Sequence, residues 1–137
     1  MTRASRLLYA VLAWAFLVGL VVQVFAIGLA LFSDPATIEV HRTLGWILHL
    51  APLLILLFAY LARAGRSHWQ WALALTVVVF VTPILPGLRT QMPAVAAFHP
   101  VFAVASFALA AVVAWNATQL LRNPAPEPTP DTTVSPA

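Results

Sequence analysis

The sequence predicts an all-α membrane protein, a four-helix bundle whose helices run alternately up and down. Two observations carry this prediction. The chain is 62% hydrophobic and only 8% charged, whereas soluble domains carry about 25% charged residues. It also contains four apolar runs, each about as long as the roughly 20 helical residues that cross a bilayer. A chain with so few charges is expected to expose much of its surface to lipid.

Composition also excludes several classes of function. The 137 residues are enough for one domain and contain no cysteine, which excludes disulfides, thiolate sites and iron–sulfur clusters. The basic residues are all arginine and lie singly along the chain, although the calculated pI is near 10.7. Nucleic-acid binding needs a clustered basic surface, so no nucleic-acid partner is expected.

The first predicted span runs from Leu7 to Phe32, 26 residues without a charge. Because Arg3 and Arg6 precede it, a signal peptide is the competing interpretation. The apolar region of a signal peptide is only about 7–15 residues long, which favours an uncleaved helix. Asp34 followed by Pro35 is typical of the start of a helix, and predicts that the second span begins there.

The other three spans follow from similar apolar runs separated by short polar segments. They are predicted at about residues 38–62, 69–86 and 94–121, and Pro52 is expected to kink the second. Residues 1–122 would therefore form one transmembrane domain. Residues 123–137 are rich in proline and polar residues, and are predicted to be a disordered tail.

The arginines predict the orientation of the bundle. Five lie at one end and two, Arg42 and Arg89, at the other, together with Asp34 and Glu39. The five are Arg3, Arg6, Arg63, Arg66 and Arg122. The positive-inside rule places the five in the cytoplasm, so both chain ends are expected there. The predicted location is the bacterial inner (cytoplasmic) membrane, as a multi-pass protein surrounded by lipid.

Two histidines are predicted to lie at matching depths. His41 and His99 lie near the outer ends of the second and fourth spans, about 5 and 8 Å inside at about 1.5 Å per residue. These spans run in the same direction. If they lie diagonally in the bundle, the two imidazoles face each other across its core, where helix bundles hold cofactors. The pattern predicts a heme b with His41 and His99 as axial ligands.

Four further residues are candidates for the same heme site. Gly45 and Ala103 each lie one helical turn below a candidate ligand, and small residues there would let a macrocycle approach the backbone, although they equally allow close helix packing. Arg42 and Arg89 are the basic residues of the outer end, and are expected to reach the heme propionates.

Other interpretations of the histidines stay open. A single histidine within a membrane is also explained by a hydrogen bond to a neighbouring helix. His49 lies near the midplane, where it would replace His41 as a ligand, bind a substrate or quinone, or donate to a carbonyl freed by Pro52. His68 is expected to be solvated, and Gln23 to form a hydrogen bond between helices.

Most enzyme classes find no support in the sequence. No carboxylate lies within a predicted span, since Asp34 and Glu39 are at the outer surface, and this disfavours proton-coupled transport. The chain has no glycine-rich phosphate loop, no Ser/His/Asp set and no HExxH motif. No catalytic residue is therefore assigned. The sequence favours a protein that is not itself an enzyme, such as a component of an oxidoreductase, and leaves an enzymatic role open.

Two segments resemble the heme A synthase family. Glu39-Val-His41-Arg42-Thr-Leu-Gly45-Trp resembles its first heme-ligand helix, and residues 81–99, ending in Phe98-His99, are similar to the next pair of helices. The resemblance covers about residues 36–115 and matches one four-helix half of that eight-helix enzyme. It implies that His41 and His99 are the axial pair of one b-type heme. The chain also resembles an uncharacterised bacterial family of small four-helix membrane proteins.

The differences from the heme A synthase family limit which of its properties are expected of this chain. The family's glutamate stands three residues before the histidine, where this chain has Ile38, and Glu39 stands two before. The family's extracellular cysteines and its second half are absent. The resemblance therefore implies heme binding without implying heme hydroxylation.

Three functional hypotheses follow. The first is a b-type cytochrome that transfers electrons between a membrane donor such as a quinol and a partner protein, and that could form a homodimer resembling the eight-helix arrangement. The second is a non-enzymatic scaffold or small subunit of a complex, with structural histidines. The third is an enzyme of heme modification or a transmembrane reductase.

Overall fold

The computed structural model describes residues 2–123, and this part of the chain is all-helical, with no strand. The prediction of an all-α fold is confirmed. The tail prediction for residues 124–137 lies outside the described residues. The elements are α1 (Thr2–Phe32), a 3₁₀ turn (Pro35–Thr37), α2 (Ile38–His49), α3 (Ala51–Leu61), α4 (Arg66–Val81), α5 (Ile84–Gly87), α6 (Pro93–Ala96) and α7 (His99–Arg122).

These elements form four long helical segments, each long and apolar enough to cross a membrane. They are the first segment (Arg3–Phe32), the second (Pro35–Leu61), the third (Arg66–Gly87) and the fourth (Pro93–Arg122). The four predicted spans are therefore found as helices at the expected places.

Prolines explain the interruptions within the segments. The second segment breaks at Leu50, and Pro52 is the second residue of α3; its nitrogen has no hydrogen to continue the hydrogen bonds of α2. Pro83 likewise stands between α4 and α5. The second segment starts as its sequence indicates, because the Asp34 carboxylate accepts a hydrogen bond of 2.9 Å from the Ala36 amide.

The packing order decides which segments face each other. Helix α1 packs against α7 on one side and against α2 and α3 on the other, and α4 packs against both α3 and α7. The first segment therefore neighbours the second and the fourth, and so does the third. The second and fourth segments lie on a diagonal of the bundle.

The densest core lies in the half of the bundle near the arginine-rich end, defined by Arg3, Arg6, Arg63, Arg66 and Arg122. Its fully buried large side chains include Tyr9, Phe16, Ile55, Leu75 and Val113, with buried alanines between them. Small residues let the helix backbones approach closely there. By contrast, α2, in the opposite half, has no buried residue. That opposite half, where His41 and His99 lie, is packed more openly.

Candidate functional site

The structure brings His41 and His99 together. Their ring centroids are 6.5 Å apart and the ring planes meet at 82°. Both side chains are half-buried. Two metal–nitrogen bonds of about 2 Å, together with about 1 Å from each nitrogen to its ring centre, would separate two axial imidazoles by about 6 Å. The observed separation of the ring centroids is close to this value.

Each imidazole is held by a backbone carbonyl of the preceding segment. The Nδ1 atom of His41 lies 3.1 Å from the Gln23 carbonyl oxygen, and the Nδ1 atom of His99 lies 2.9 Å from that of Thr82. A carbonyl oxygen only accepts, so each neutral ring carries its proton on Nδ1 and leaves Nε2 free as a ligand atom. Metal-ligating histidines usually donate their other ring N–H in this way.

The Thr82 carbonyl is available because of a proline. In a continuous helix this oxygen would accept from the amide four residues later, but that residue is Pro86, which has no N–H. The His99 imidazole donates in its place. The Gln23 carbonyl belongs instead to the continuous helix α1. The two bonds join residues 18 and 17 positions apart, so the two halves of the bundle hold their histidines in a related way.

Gly45 makes room for Gln23. A Cβ atom added at Gly45 would lie 2.8 Å from the Gln23 side-chain nitrogen. The open side of this glycine is therefore covered by the Gln23 amide. The amide oxygen Oε1 is buried without a hydrogen-bond partner in the described part of the chain. Gln23 thus connects helices mainly through its backbone carbonyl.

The other candidate residues lie around the pair in different ways. Arg42 forms an ion pair with Glu39, and both side chains are exposed. Arg89 is exposed in the turn after α5, and within residues 2–123 it has no carboxylate partner. Ala103 is half-buried in α7, one turn after the start of that helix. Of the two outer arginines, Arg89 is the one whose charge is not paired.

His49 lies in a different environment from His41. Its ring centroid is 4.0 Å from that of Phe80 on α4, and 5.8 Å from that of Trp46. Within residues 2–123 these ring contacts are the interactions found for its imidazole. His68 is half-buried in α4 rather than fully solvated as expected, with its ring centroid 6.2 Å from that of Tyr9.

The ligand set of the pair restricts the kind of metal site. Within residues 2–123, no group of three or more His, Asp or Glu side chains gathers to hold a metal ion. Zinc sites in proteins need three or four protein ligands. A metal held by His41 and His99 would therefore take its remaining ligands from another molecule, and a porphyrin is one molecule that supplies four of them.

Sequence reasoning missed the carbonyls that hold the imidazoles. Thr82 had no assigned role, and Gln23 was expected only to bond between helices. A usable signal existed for Thr82, because a proline four residues after it predicts an unpaired carbonyl. For Gln23 no such signal is present, since its carbonyl lies within an uninterrupted helix.

Comparison with known proteins gives one family match. Residues 23–88 match the model of a family of unknown function, DUF6220. The matched region is just under half of the chain, and includes Gln23, His41, Thr82 and Pro86 but not His99. No curated protein and no solved structure matches the chain. The chain is thus similar to this family over the end of its first segment and over its second and third segments.

Proposed function

We propose that the chain is an integral membrane, b-type cytochrome-like protein that binds one heme between His41 and His99 and transfers electrons. The observation that carries this proposal is the pair itself, with centroids 6.5 Å apart and each Nδ1 on a carbonyl oxygen. Together these features leave two Nε2 atoms for one iron. A structural histidine needs only a hydrogen bond and does not need a second histidine at this distance.

The membrane part of the proposal rests on composition and on the arginines. Four helices are long and apolar enough to cross a bilayer, and many large apolar side chains are exposed on them. In a bilayer those side chains would contact lipid without cost. With the arginine-rich end in the cytoplasm, the histidine pair lies toward the outer face of a bacterial inner membrane.

Each residue of the site would have a distinct role. His41 and His99 would be the axial ligands, and the Gln23 and Thr82 carbonyls would fix their tautomers and ring orientations. Arg89, which has no carboxylate partner within residues 2–123, would attract a propionate, and Arg42 at the same end would do so by exchanging its ion pair with Glu39. A bound heme supplies a one-electron redox centre. A quinol as donor and a protein as acceptor are the partners that suit this position.

The resemblance to one half of the heme A synthase family supports heme binding and no more. Glu39 pairs with Arg42, so its carboxylate is engaged away from the histidines. We therefore extend to this chain the axial ligands implied by that family, and not its chemistry on the heme.

An absorption spectrum tests the proposal directly. The full chain, purified in a neutral detergent from heme-supplemented cells, is expected to show a sharp b-type α-band after reduction with dithionite. One heme per chain is expected by pyridine hemochrome assay. Protein that is folded and helical by circular dichroism, yet without a band after incubation with added heme, would contradict the proposal.

A scaffold or small-subunit role is the second candidate. It is favoured by the hydrogen bonds of His41 and His99, which already satisfy one nitrogen of each ring, and by the edge-to-face contact of the rings. Such a contact needs no metal. A folded protein without heme, purified together with a larger membrane complex, would support this role.

Replacing Pro86 with alanine tests the role of the Thr82 carbonyl. The new amide hydrogen would compete with His99 for this oxygen, so we expect heme affinity to fall about tenfold, as is usual when the partner of a ligating histidine is lost. The measurement is heme titration of the apoprotein. Pro83→Ala is the matched control, because its amide would reach the Val79 carbonyl instead. Equal losses in both variants would show that the effect comes from the helix break and not from Thr82.

A further inference from the structure

A groove lies at the arginine-rich end, in the turn between the second and third segments. It has a volume of about 450 Å³, and its lining includes Tyr60, Arg63, Gly65, Arg66 and Trp69. It is separate from the histidine pair, which lies in the opposite half of the bundle. The lining combines two cationic side chains with two amphipathic aromatic rings.

Within residues 2–123, no carboxylate pairs with the positive charges of the groove. Arg63 and Arg66 are both exposed. Within residues 2–123 the acidic residues are Asp34 and Glu39, which lie at the other end of the bundle, and the ion pair that forms there joins Glu39 to Arg42. In the part of the chain that the structure describes, an anion bound in the groove would therefore meet two arginines without a carboxylate partner.

The walls of the groove are suited to the surface of a bilayer. Tyr60 is 72% exposed and Trp69 is 42% exposed. Rings of this kind concentrate at the level of lipid headgroups. Leu57 and Leu61, on the same helix as Tyr60, are also exposed. The helix that contributes Tyr60 to the groove thus also carries exposed apolar side chains toward the membrane core.

Backbone hydrogen bonds close the turn that lines the groove. Gly65 has φ of +88°, and Arg63 has φ of +50°. Left-handed backbone is unusual for a residue with a side chain. The turn is closed by hydrogen bonds from the Arg63 amide to the Tyr60 carbonyl, 3.0 Å, and from the Ala64 amide to the Ala59 carbonyl, 3.1 Å. Arg63 and Arg66 therefore line the groove without further folding of the turn.

We propose that this groove binds the phosphodiester headgroup of one anionic phospholipid. A guanidinium group offers paired donors that match phosphate oxygens, and basic pockets between spans on the cytoplasmic side recognise anionic headgroups. A lipid is favoured over soluble phosphate because its acyl chains would cover the adjoining leucine surface. This inference depends on the membrane placement proposed above, and is independent of the heme.

Native mass spectrometry of the full chain in neutral detergent tests the proposal. We expect one phosphatidylglycerol to bind about tenfold more tightly than phosphatidylcholine, and the double variant R63Q/R66Q to lose this preference. The variant R3Q/R122Q is the matched control. It removes the same charge from exposed arginines of the same end, and is expected to bind phosphatidylglycerol as wild type does. R63K/R66K, which keeps the charges without the paired donors, is expected to be intermediate.

Three results would overturn the proposal. If R63Q/R66Q and R3Q/R122Q lose the preference for phosphatidylglycerol equally, the lipid is attracted by the general charge of this end and not by the groove. If wild type binds phosphatidylglycerol and phosphatidylcholine equally, the headgroup is not recognised. Displacement of the lipid by millimolar inorganic phosphate would assign the groove to a soluble anion. The heme band, recorded on the same samples, reports separately on the histidine pair. Protein that stays soluble without detergent would remove the membrane premise before any lipid is added.

Discussion

Replacing either His41 or His99 with alanine is expected to abolish the b-type α-band of the reduced protein. Each variant loses one of the two coordinate bonds that the pair would make to iron. A loss of about 1.4 kcal/mol lowers affinity tenfold, and a metal–ligand bond contributes more than that, so heme content should fall to roughly a tenth or less. Absorption spectra and hemochrome assays of the purified variants provide the measurement.

The controls separate ligation from folding. His49→Ala and His68→Ala are expected to keep the band, because His49 packs on Phe80 and His68 lies beside Tyr9. In His99→Gly, added imidazole is expected to restore the band, which a purely structural histidine would not allow. Loss of the band in His49→Ala but not in His41→Ala would make His49 the ligand of the second segment.

Replacing Leu75 with alanine is expected to destabilise the bundle by about 2–5 kcal/mol, the usual cost of truncating a buried leucine. Leu75 is 0% exposed and packs in the core near the arginine-rich end. The neighbouring segments meet there through small residues, so the structure cannot easily close around the lost volume. Reversible unfolding with dodecyl sulfate in mixed micelles, followed by circular dichroism, measures the change in free energy.

Val77, on the same helix, provides the matched control. It is 54% exposed, and Val77→Ala is expected to change stability by less than about 0.5 kcal/mol, as is usual for surface substitutions. The folded Leu75→Ala variant should keep the heme band, because the histidine pair lies in the other half of the bundle. Equal destabilisation by both substitutions would mean that the face of α4 bearing Val77 is also packed, for example against a second subunit.

Part of the candidate site follows from the sequence because depth along a helix is a property of spacing. Counting residues from the helix starts was enough to place His41 and His99 at similar depths. Counting residues did not predict that the two rings lie side by side. That also requires the second and fourth segments to be diagonal and both side chains to point inward. The packing of α1 and α4 against α3 and α7 determines that arrangement.

Residue spacing did not predict the partners of the imidazoles, although Pro86 marks the Thr82 carbonyl as one without a helical partner. His41 bonds to a carbonyl in α1 and His99 to a carbonyl in the third segment, and every residue carries a carbonyl. Only the rotation of neighbouring helices decides which oxygen faces the ring. Similarly, the environment of His49 depends on Phe80, which is 31 positions away in the sequence. No sequence pattern predicts that these two rings lie in contact.

By itself the sequence determined the four helical segments, their breaks at prolines and the placement of five of the seven arginines at one end. These features depend on local chemistry: apolar runs of sufficient length, prolines without an amide hydrogen, and the placement of charges outside apolar runs. The tertiary structure alone decided which segments are diagonal, which carbonyl each histidine meets, and where the core is dense. Those outcomes depend on side-chain volumes fitting between helices distant in the chain, and such packing is a property of the assembled bundle.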